Sequence, residues 1–323
     1  MPLEPPYHDL PSAYFLHYLL IFQTRRNRPV FVGELREQVS AWLEEICVQE
    51  NYHLLAHQVR ERYLEMLLSL RPPHSISEIV QKTKSFTARQ VFARYPETED
   101  LIGRRNLWAN GYKVESVGAA TTAMVKGYLD SQREHHVVRT QEPRTLVRYA
   151  APDKESYRGF RRGKAVYRLN HHYVFGVKQR PRVLNEEVAQ YLTALWLRIC
   201  RVREYDLLTL EILDEHTHCL ISQKPKHAPQ EIAEALMNNT SFLALQRFAH
   251  LRERFPDGQL WTPGFFVRSV GERTTAQVKS YFKTEAPACG GGEVTATPTE
   301  KPPPQAGVRS PPRQQRSPRC RRG

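Results

Sequence analysis

His216 and His218 stand one residue apart at the head of an apolar run that continues through Cys219, Leu220 and Ile221, directly after the acidic pair Asp214-Glu215. Side chains at i and i+2 of a strand share a face. The spacing therefore predicts two imidazoles side by side, enough for two positions on one cation. In a chain with 13 histidines such a triplet can also arise by chance, and a structural or surface pair is the alternative. The context adds weight, because Tyr281 follows on a predicted terminal helix. A tyrosine hydroxyl, with a pKa of about 10, is a poor nucleophile at neutral pH. It becomes serviceable in phosphoryl transfer when a cation polarises the phosphate and offsets the charge of the transition state. A His pair and a tyrosine together can cut a DNA strand and hold the phosphate as phosphotyrosine. That bond conserves the energy of the broken one, so rejoining needs no ATP.

The elements that must position these groups occur twice, because the chain contains itself at a shift of 153 positions without a gap. Phe15–Phe31 lies over Arg168–Leu184, Leu107-Trp108 over Leu260-Trp261, and Ser116-Val117-Gly118 over Ser269-Val270-Gly271. Tyr128 falls on Tyr281, each ten residues after its Ser-Val-Gly. The same shift sets Tyr63 and Glu65 on His216 and His218. One copy thus has the His pair, the other has a degenerate site, and both keep the tyrosine.

Each copy reads as strand, helix, strand, strand, helices, strand, helix. Leu16–Gln23 and Leu169–Val177 are apolar strand-sized runs. Val32–Gln49 and Asn185–Val202 carry apolar residues at helical spacing, and Leu207–Leu213 with Thr217–Ser222 form a strand pair around Asp214-Glu215. Ser75 to Glu78 matches a capping box opening a helix over 76–84. Val114–Val117 and Phe266–Val270 are short strands, followed by final helices over 121–132 and 274–285. The pattern predicts an α+β domain used twice, over residues 10–135 and 163–286.

Between them, the 136–162 link is basic and mixes in aromatics. From Arg133 to Tyr167 there are nine Lys/Arg against four Asp/Glu, so Arg161 and Arg162 are candidates for phosphate contacts, with a solvated linker as the alternative. Residues 287–323 are rich in Gly, Pro and Arg and are expected not to fold. A formal net charge of +13 predicts a polyanionic partner, most often nucleic acid. No apolar run reaches the roughly 18 residues needed to span a bilayer. Five scattered cysteines without CxxC spacing argue against a zinc ribbon or disulfide framework, and fit a cytoplasmic, nucleoid-associated protein. Cys47 and Cys200 match across the repeat and read as buried core thiols. Arg25, Arg26 and Arg28 in one copy, and Lys178, Arg180 and Arg182 in the other, follow the first strand and could grip phosphates, a solvated turn being the alternative.

At these motifs the chain resembles the single-tyrosine HUH transposases of small insertion sequences, including the REP-associated tyrosine transposases. Asn170 to Phe175 with Lys178-Gln179-Arg180-Pro181 resembles the opening strand and basic turn of that family, Asp214 to Ser222 the HUH strand, and Leu260-Trp261 through Lys279-Ser280-Tyr281 the nucleophile end. Thr217 departs from the usual apolar middle position. The resemblance implies two ferredoxin-like HUH domains forming an intramolecular pseudo-dimer. It also implies metal-dependent cleavage and rejoining of single-stranded DNA, through a 5′-phosphotyrosine, at hairpin-marked sites. A Gln one turn after the nucleophile helps hold the metal in that family. Gln132 fills this role after Tyr128, whereas Glu285 follows Tyr281. Two pairings follow from the resemblance: a cross-copy site of His216, His218, Tyr128 and Gln132, which is favoured, and a within-copy site of His216, His218, Tyr281 and Glu285. The ligand set suits Mg²⁺ or Mn²⁺. Since one His pair is lost, a catalytically inactive or host-adopted DNA-hairpin-binding protein or repressor is the rival reading; an RNA-binding module is a third.

Overall fold

Tyr18, Leu20 and Phe22 alternate with Leu19 and Ile21 along His17–Gln23, a pattern that suits a strand covered on both faces. Its counterpart Asn170–Gly176 alternates Tyr173 and Phe175 with His172 and Val174. Around these two central strands the chain builds two six-stranded sheets. The computed structural model describes residues 12–103, 105–118, 143–152, 160–162 and 165–284, with backbone alone at 160–162 and 283–284.

The strands are β1 (Ala13–Phe15), β2 (His17–Gln23), β3 (His53–Arg60), β4 (Tyr63–Ser69), β5 (Lys113–Val117), β6 (Thr145–Ala150), β7 (Phe160–Arg162), β8 (Ala165–Arg168), β9 (Asn170–Gly176), β10 (Asp206–Leu213), β11 (His216–Ser222) and β12 (Phe266–Val270). The first sheet runs β3-β4-β2-β5-β8-β7 and the second β1-β12-β9-β11-β10-β6. Helices α1 (Glu34–Gln49), α2 (Ile76–Arg94) and α3 (Thr98–Ile102) belong to the first copy. The second copy contributes α4 (Glu186–Arg203), α5 (Pro229–Arg247), α6 (Ala249–Arg254) and α7 (Thr275–Thr284). The fold is α+β with mainly antiparallel sheets, as the sequence pattern predicts. Ser75 caps α2, its side chain accepting from the Glu78 amide at 3.3 Å, and Asn185 caps α4 from Val188 at 2.9 Å. The helix that opens at Ile76 runs ten residues past Lys84, because Phe86, Val91 and Phe92 prolong its buried face.

The two sheets exchange strands. β1, from the first copy, pairs in parallel with β12 of the second, Ala13 opposite Phe266. β8, which opens the second copy, pairs in parallel with β5 of the first, Val166 opposite Lys113. Both registers obey the 153-residue shift, so the two exchanges are images of one another about a pseudo-twofold axis. The link is not bare connector either, since β6 extends the second sheet along β10 and β7 the first along β8.

The repeated Ser-Val-Gly sits on this axis. The Ser116 hydroxyl donates to the Val270 carbonyl at 2.6 Å, and Ser269 donates to Val117 at 2.5 Å. Each serine oxygen also accepts a backbone amide from the other copy, Asn170 to Ser116 at 3.0 Å and His17 to Ser269 at 2.9 Å. Tyr18 and His171, equivalent positions in the two copies, meet side chain to side chain at 2.7 Å. Burial holds the Tyr18 hydroxyl far above its usual range and pushes His171 down to about 3, so a neutral imidazole nitrogen accepts the phenol proton. Gly271 lies so close that a Cβ there would stand 1.9 Å from the Ser116 carbonyl oxygen, which requires glycine. One continuous apolar core results, drawing on both copies. The tryptophans of the Leu-Trp pairs are buried in it, Trp108 donating to Thr87 at 3.0 Å and Trp261 to Thr240 at 2.8 Å. Cys47, Cys200 and Cys219 are buried free thiols, as core positions demand.

Candidate active site

Strand β11 sends Thr217, Cys219 and Ile221 into the core, so His216 and His218 emerge together on the opposite face. Their Nε2 atoms converge to 3.1 Å. A third histidine completes the cluster: His172, on neighbouring β9, stacks on His218 with ring centroids 5.3 Å apart and planes 4° from parallel. Its Nε2 lies 3.2 Å from His218 Nδ1. When His218 keeps its Nδ1 proton for His172, its Nε2 lone pair is left facing His216, the tautomer a metal ligand needs. Burial lowers His218 to about 2 and His172 to about 3, helped at His218 by the other imidazoles and by Arg268. Both are neutral near pH 7, which leaves the His218 Nε2 lone pair available to a cation.

Carboxylates frame the pair. Glu215 approaches His216 Nδ1 at 3.6 Å. Glu211 sits directly across the ladder from His218 and is 3% exposed. One of its oxygens takes Arg148 at 2.9 Å and the Thr145 hydroxyl at 3.0 Å, while the other is buried with no hydrogen-bond partner among the described residues. Among the described residues no three His, Cys, Asp or Glu side chains close round a metal position. The pair can supply two ligands to a divalent cation, and a third must come from elsewhere.

The equivalent face of the first sheet is filled instead. Tyr63 and Glu65 take the histidine positions, Leu19 replaces His172 and Gln58 replaces Glu211. Helix α7, from the second copy, packs there against β3. Val278 and Phe282 bury themselves with Leu19, Leu67 and Val117, and half-buried Tyr281 packs at the edge of this cluster with Leu55 and Ala56. The His17 ring bonds to the Thr275 hydroxyl at 2.9 Å as the helix begins. Tyr281 therefore belongs with the face of Tyr63 and Glu65, not with His216 and His218. Tyr128, Gln132 and Glu285 lie outside the described residues.

Of the basic residues, Arg25 and Arg26 lie in a 3-10 turn after β2, and Arg28 follows it. The basic residues of the equivalent second-copy turn are paired with carboxylates. Lys178 pairs with Asp257, Arg180 with Glu215 at 3.7 Å and Arg182 with Asp214 at 3.7 Å. Arg161 and Arg162 lie on β7, and only their backbone is described. Sequence reasoning missed His172 and Glu211. The shift offered a signal for His172, because it sets a histidine where the other copy has Leu19.

Two copies of one α+β domain, sharing a pseudo-twofold axis and differing at the face that carries the His pair, define a fused-dimer architecture. Comparison with known proteins gives it a family. The family described as IS200-like transposases matches the chain twice, over residues 12–132 and 165–285, and the chain belongs to that family. The ISDra2 transposase TnpA of Deinococcus radiodurans is 30% identical over 120 residues, 37% of this chain and 86% of that protein. The IS200 transposase of Salmonella typhimurium is 26% identical over 117 residues, 36% of this chain and 76% of that protein. A crystal structure assigned to a transposase of Deinococcus radiodurans R1 shares 29% identity, covers 41% of this chain and 98% of its own, and superimposes with a TM-score of 0.33. Among the described residues no helix is long and apolar enough to cross a membrane.

Proposed function

We propose that this protein cleaves and rejoins single-stranded DNA through a phosphotyrosine, using one composite site drawn from both copies. The convergence of His216 and His218 at 3.1 Å, on the face opposite the core, carries this reading. His216 and His218 would hold a divalent cation, Mg²⁺ or Mn²⁺, with Gln132 as the third ligand. Such a cation, when bound, polarises the scissile phosphate and offsets its developing charge. Tyr128 is the nucleophile of this reading. Its Oη bonds to phosphorus as the P–O3′ bond breaks, the tyrosine proton leaves and the departing strand ends in a 3′-hydroxyl. Attack by a 3′-hydroxyl reverses the step and frees the tyrosine.

The docking of α7 on the first sheet supports the cross-copy choice. Because α7 packs on the first sheet, it takes Tyr281 away from the face of His216 and His218 and leaves that face to a nucleophile from the other copy. His172 serves by fixing the His218 tautomer. Tyr63 and Glu65, with Tyr281 and Glu285, form the degenerate site. The test is a covalent-adduct gel with single-stranded hairpin DNA and Mn²⁺, comparing the wild type with Tyr128→Phe and Tyr281→Phe. Loss of adduct in Tyr128→Phe alone is the expected result. Loss in Tyr281→Phe alone would move the site within the second copy. Hairpin binding without any adduct would make the protein a DNA-binding factor instead.

A further inference from the structure

The two copies present equivalent turns of opposite electrostatic character. In the second copy three cations, Lys178, Arg180 and Arg182, meet three carboxylates, Asp257, Glu215 and Asp214, and the charge cancels. At the shifted positions the first copy has Arg104 for Asp257 and Arg62 for Glu215, so two acids have become bases. Only Glu61 remains, 3.9 Å from Arg36. Among the described residues Arg25, Arg26, Arg28 and Arg62 meet no carboxylate. Two loops bring them together. The Thr24 amide donates to the Arg62 carbonyl at 2.8 Å, and the Arg62 guanidinium donates to the Asn27 carbonyl at 2.6 Å. Arg26 and Asn27 hold φ of 53° and 55°, a left-handed turn that no glycine eases.

The contrast continues into the adjoining cavity. Arg25 reaches the Asn106 side-chain oxygen at 3.2 Å when that amide is turned so that its nitrogen meets the Trp108 carbonyl. Asn106, Lys84, Asn110 and Tyr112 line a cavity of about 320 Å³. The matching second-copy cavity has Gln259, Met237, Pro263 and Phe265 in their places. Lys84 is anchored on the Ala109 and Gly111 carbonyls at 2.9 and 2.6 Å, half-buried beside Phe22 and Tyr112.

We infer that the arginine turn of the first copy is the docking surface for the phosphates of one DNA duplex stem, so that each chain holds one stem and not two. Uncompensated guanidiniums on a turn gain by displacing counterions from a polyanion, whereas cations already paired with carboxylates must first give those partners up. Duplex DNA has the charge density that rewards four clustered arginines, and contacts of this type set register without reading sequence. The inference rests on the DNA-cleaving reading for its choice of polyanion. It assigns the two copies separate tasks, the first gripping the stem and the second holding the cation.

The experiment is fluorescence anisotropy with a labelled DNA hairpin in EDTA, too short to span both turns. Arg26→Gln/Arg28→Gln/Arg62→Gln is expected to weaken binding at least tenfold and to lower the slope of log K against log salt by about 2–3. Lys178→Gln/Arg180→Gln/Arg182→Gln should change it less than threefold, and titration should saturate at one hairpin per chain. Thermal melting checks that both variants fold. If the first variant melts early, Arg28→Gln alone, which breaks no hydrogen bond, should still lower the slope by about 1. Equal losses in the two triple variants, or two hairpins per chain, overturn the inference. A chain that grips one hairpin through these arginines yet forms no adduct keeps this proposal and removes the cleavage reading. Adduct formation with hairpin binding unchanged in the first variant does the reverse.

Discussion

The outer faces of the two sheets began as the same surface and now do opposite things. On the second sheet, His172, His216 and His218 hold a polar cluster beside buried Glu211. On the first, Leu19 and Leu67 lie under Val278 and Phe282, and the face has become a greasy seat for a helix. Burying a Leu or Phe side chain stabilises by roughly 1.5–3 kcal/mol, whereas imidazoles bonded to one another contribute much less. The face without the histidines has become core, and the face with them keeps its polar groups. The comparison teaches that stability and function were divided between copies, with the shared axis left intact.

The comparison breaks most sharply at the histidines. His218→Ala should cut adduct formation by about 10³-fold or more, the scale of removing a cation's help to a phosphoryl transfer. Glu65→Ala at the matched position should leave adduct yield within twofold on the same gel. The axis is the next target. Gly271→Ala forces a methyl onto the Ser116 carbonyl and should cost about 3 kcal/mol, or prevent folding, because two backbones must part. Urea unfolding measures it, and a loss below about 1 kcal/mol would mean that the two backbones part easily at this point.

Phe282→Ala tests the greasy seat and should cost about 3 kcal/mol by the same measurement. If the helix were only loosely docked, the change would be near zero.

Acid sharpens the contrast further. Burial holds His171 at about 3, and burial with Lys279 nearby holds His17 at about 4, against 6.5 in the unfolded chain. Between those values the unfolded state binds more protons than the folded one. Stability should therefore be level above pH 6.5 and fall on acidification towards pH 3–4, by up to about 1.4 kcal/mol per unit for each histidine. Unfolding midpoints at several pH values check the window, and a flat profile from pH 7 to 4 would contradict the burial of these rings. The smallest effect belongs to the feature both copies kept. Trp108→Phe and Trp261→Phe each lose one buried hydrogen bond and should cost a similar amount, about 1 kcal/mol. Unequal losses would show that the cores have diverged as well as the faces.

Much of this was legible in the residues. The repeat at a fixed shift, the strand-helix order and the His-x-His face all follow from periodicity and spacing, which act over a few neighbouring residues. His172 escaped because its role depends on a neighbouring strand, and cross-strand register is not written in either strand alone. The exchange of β1 and β8 escaped for a similar reason. A three-residue strand such as Ala13–Phe15 has too few positions to show an alternation, and its partner Phe266 lies at the far end of the chain. The basic turns were legible as basic, but their partners were not: Asp257 neutralises Lys178 from 79 positions away.

The strand exchange also sets a timetable for the ribosome. β5 completes its sheet only when β8 has been made, and β1 must wait for β12, the last strand of the two sheets. Until β8 is made the first half carries an open edge at β5, and open edges are prone to pair with a neighbour. Contacts so distant in sequence also slow the final closure. Each half lends a strand to the other, and a chain halted between Val177 and Phe266 would emerge with β1 still unclaimed.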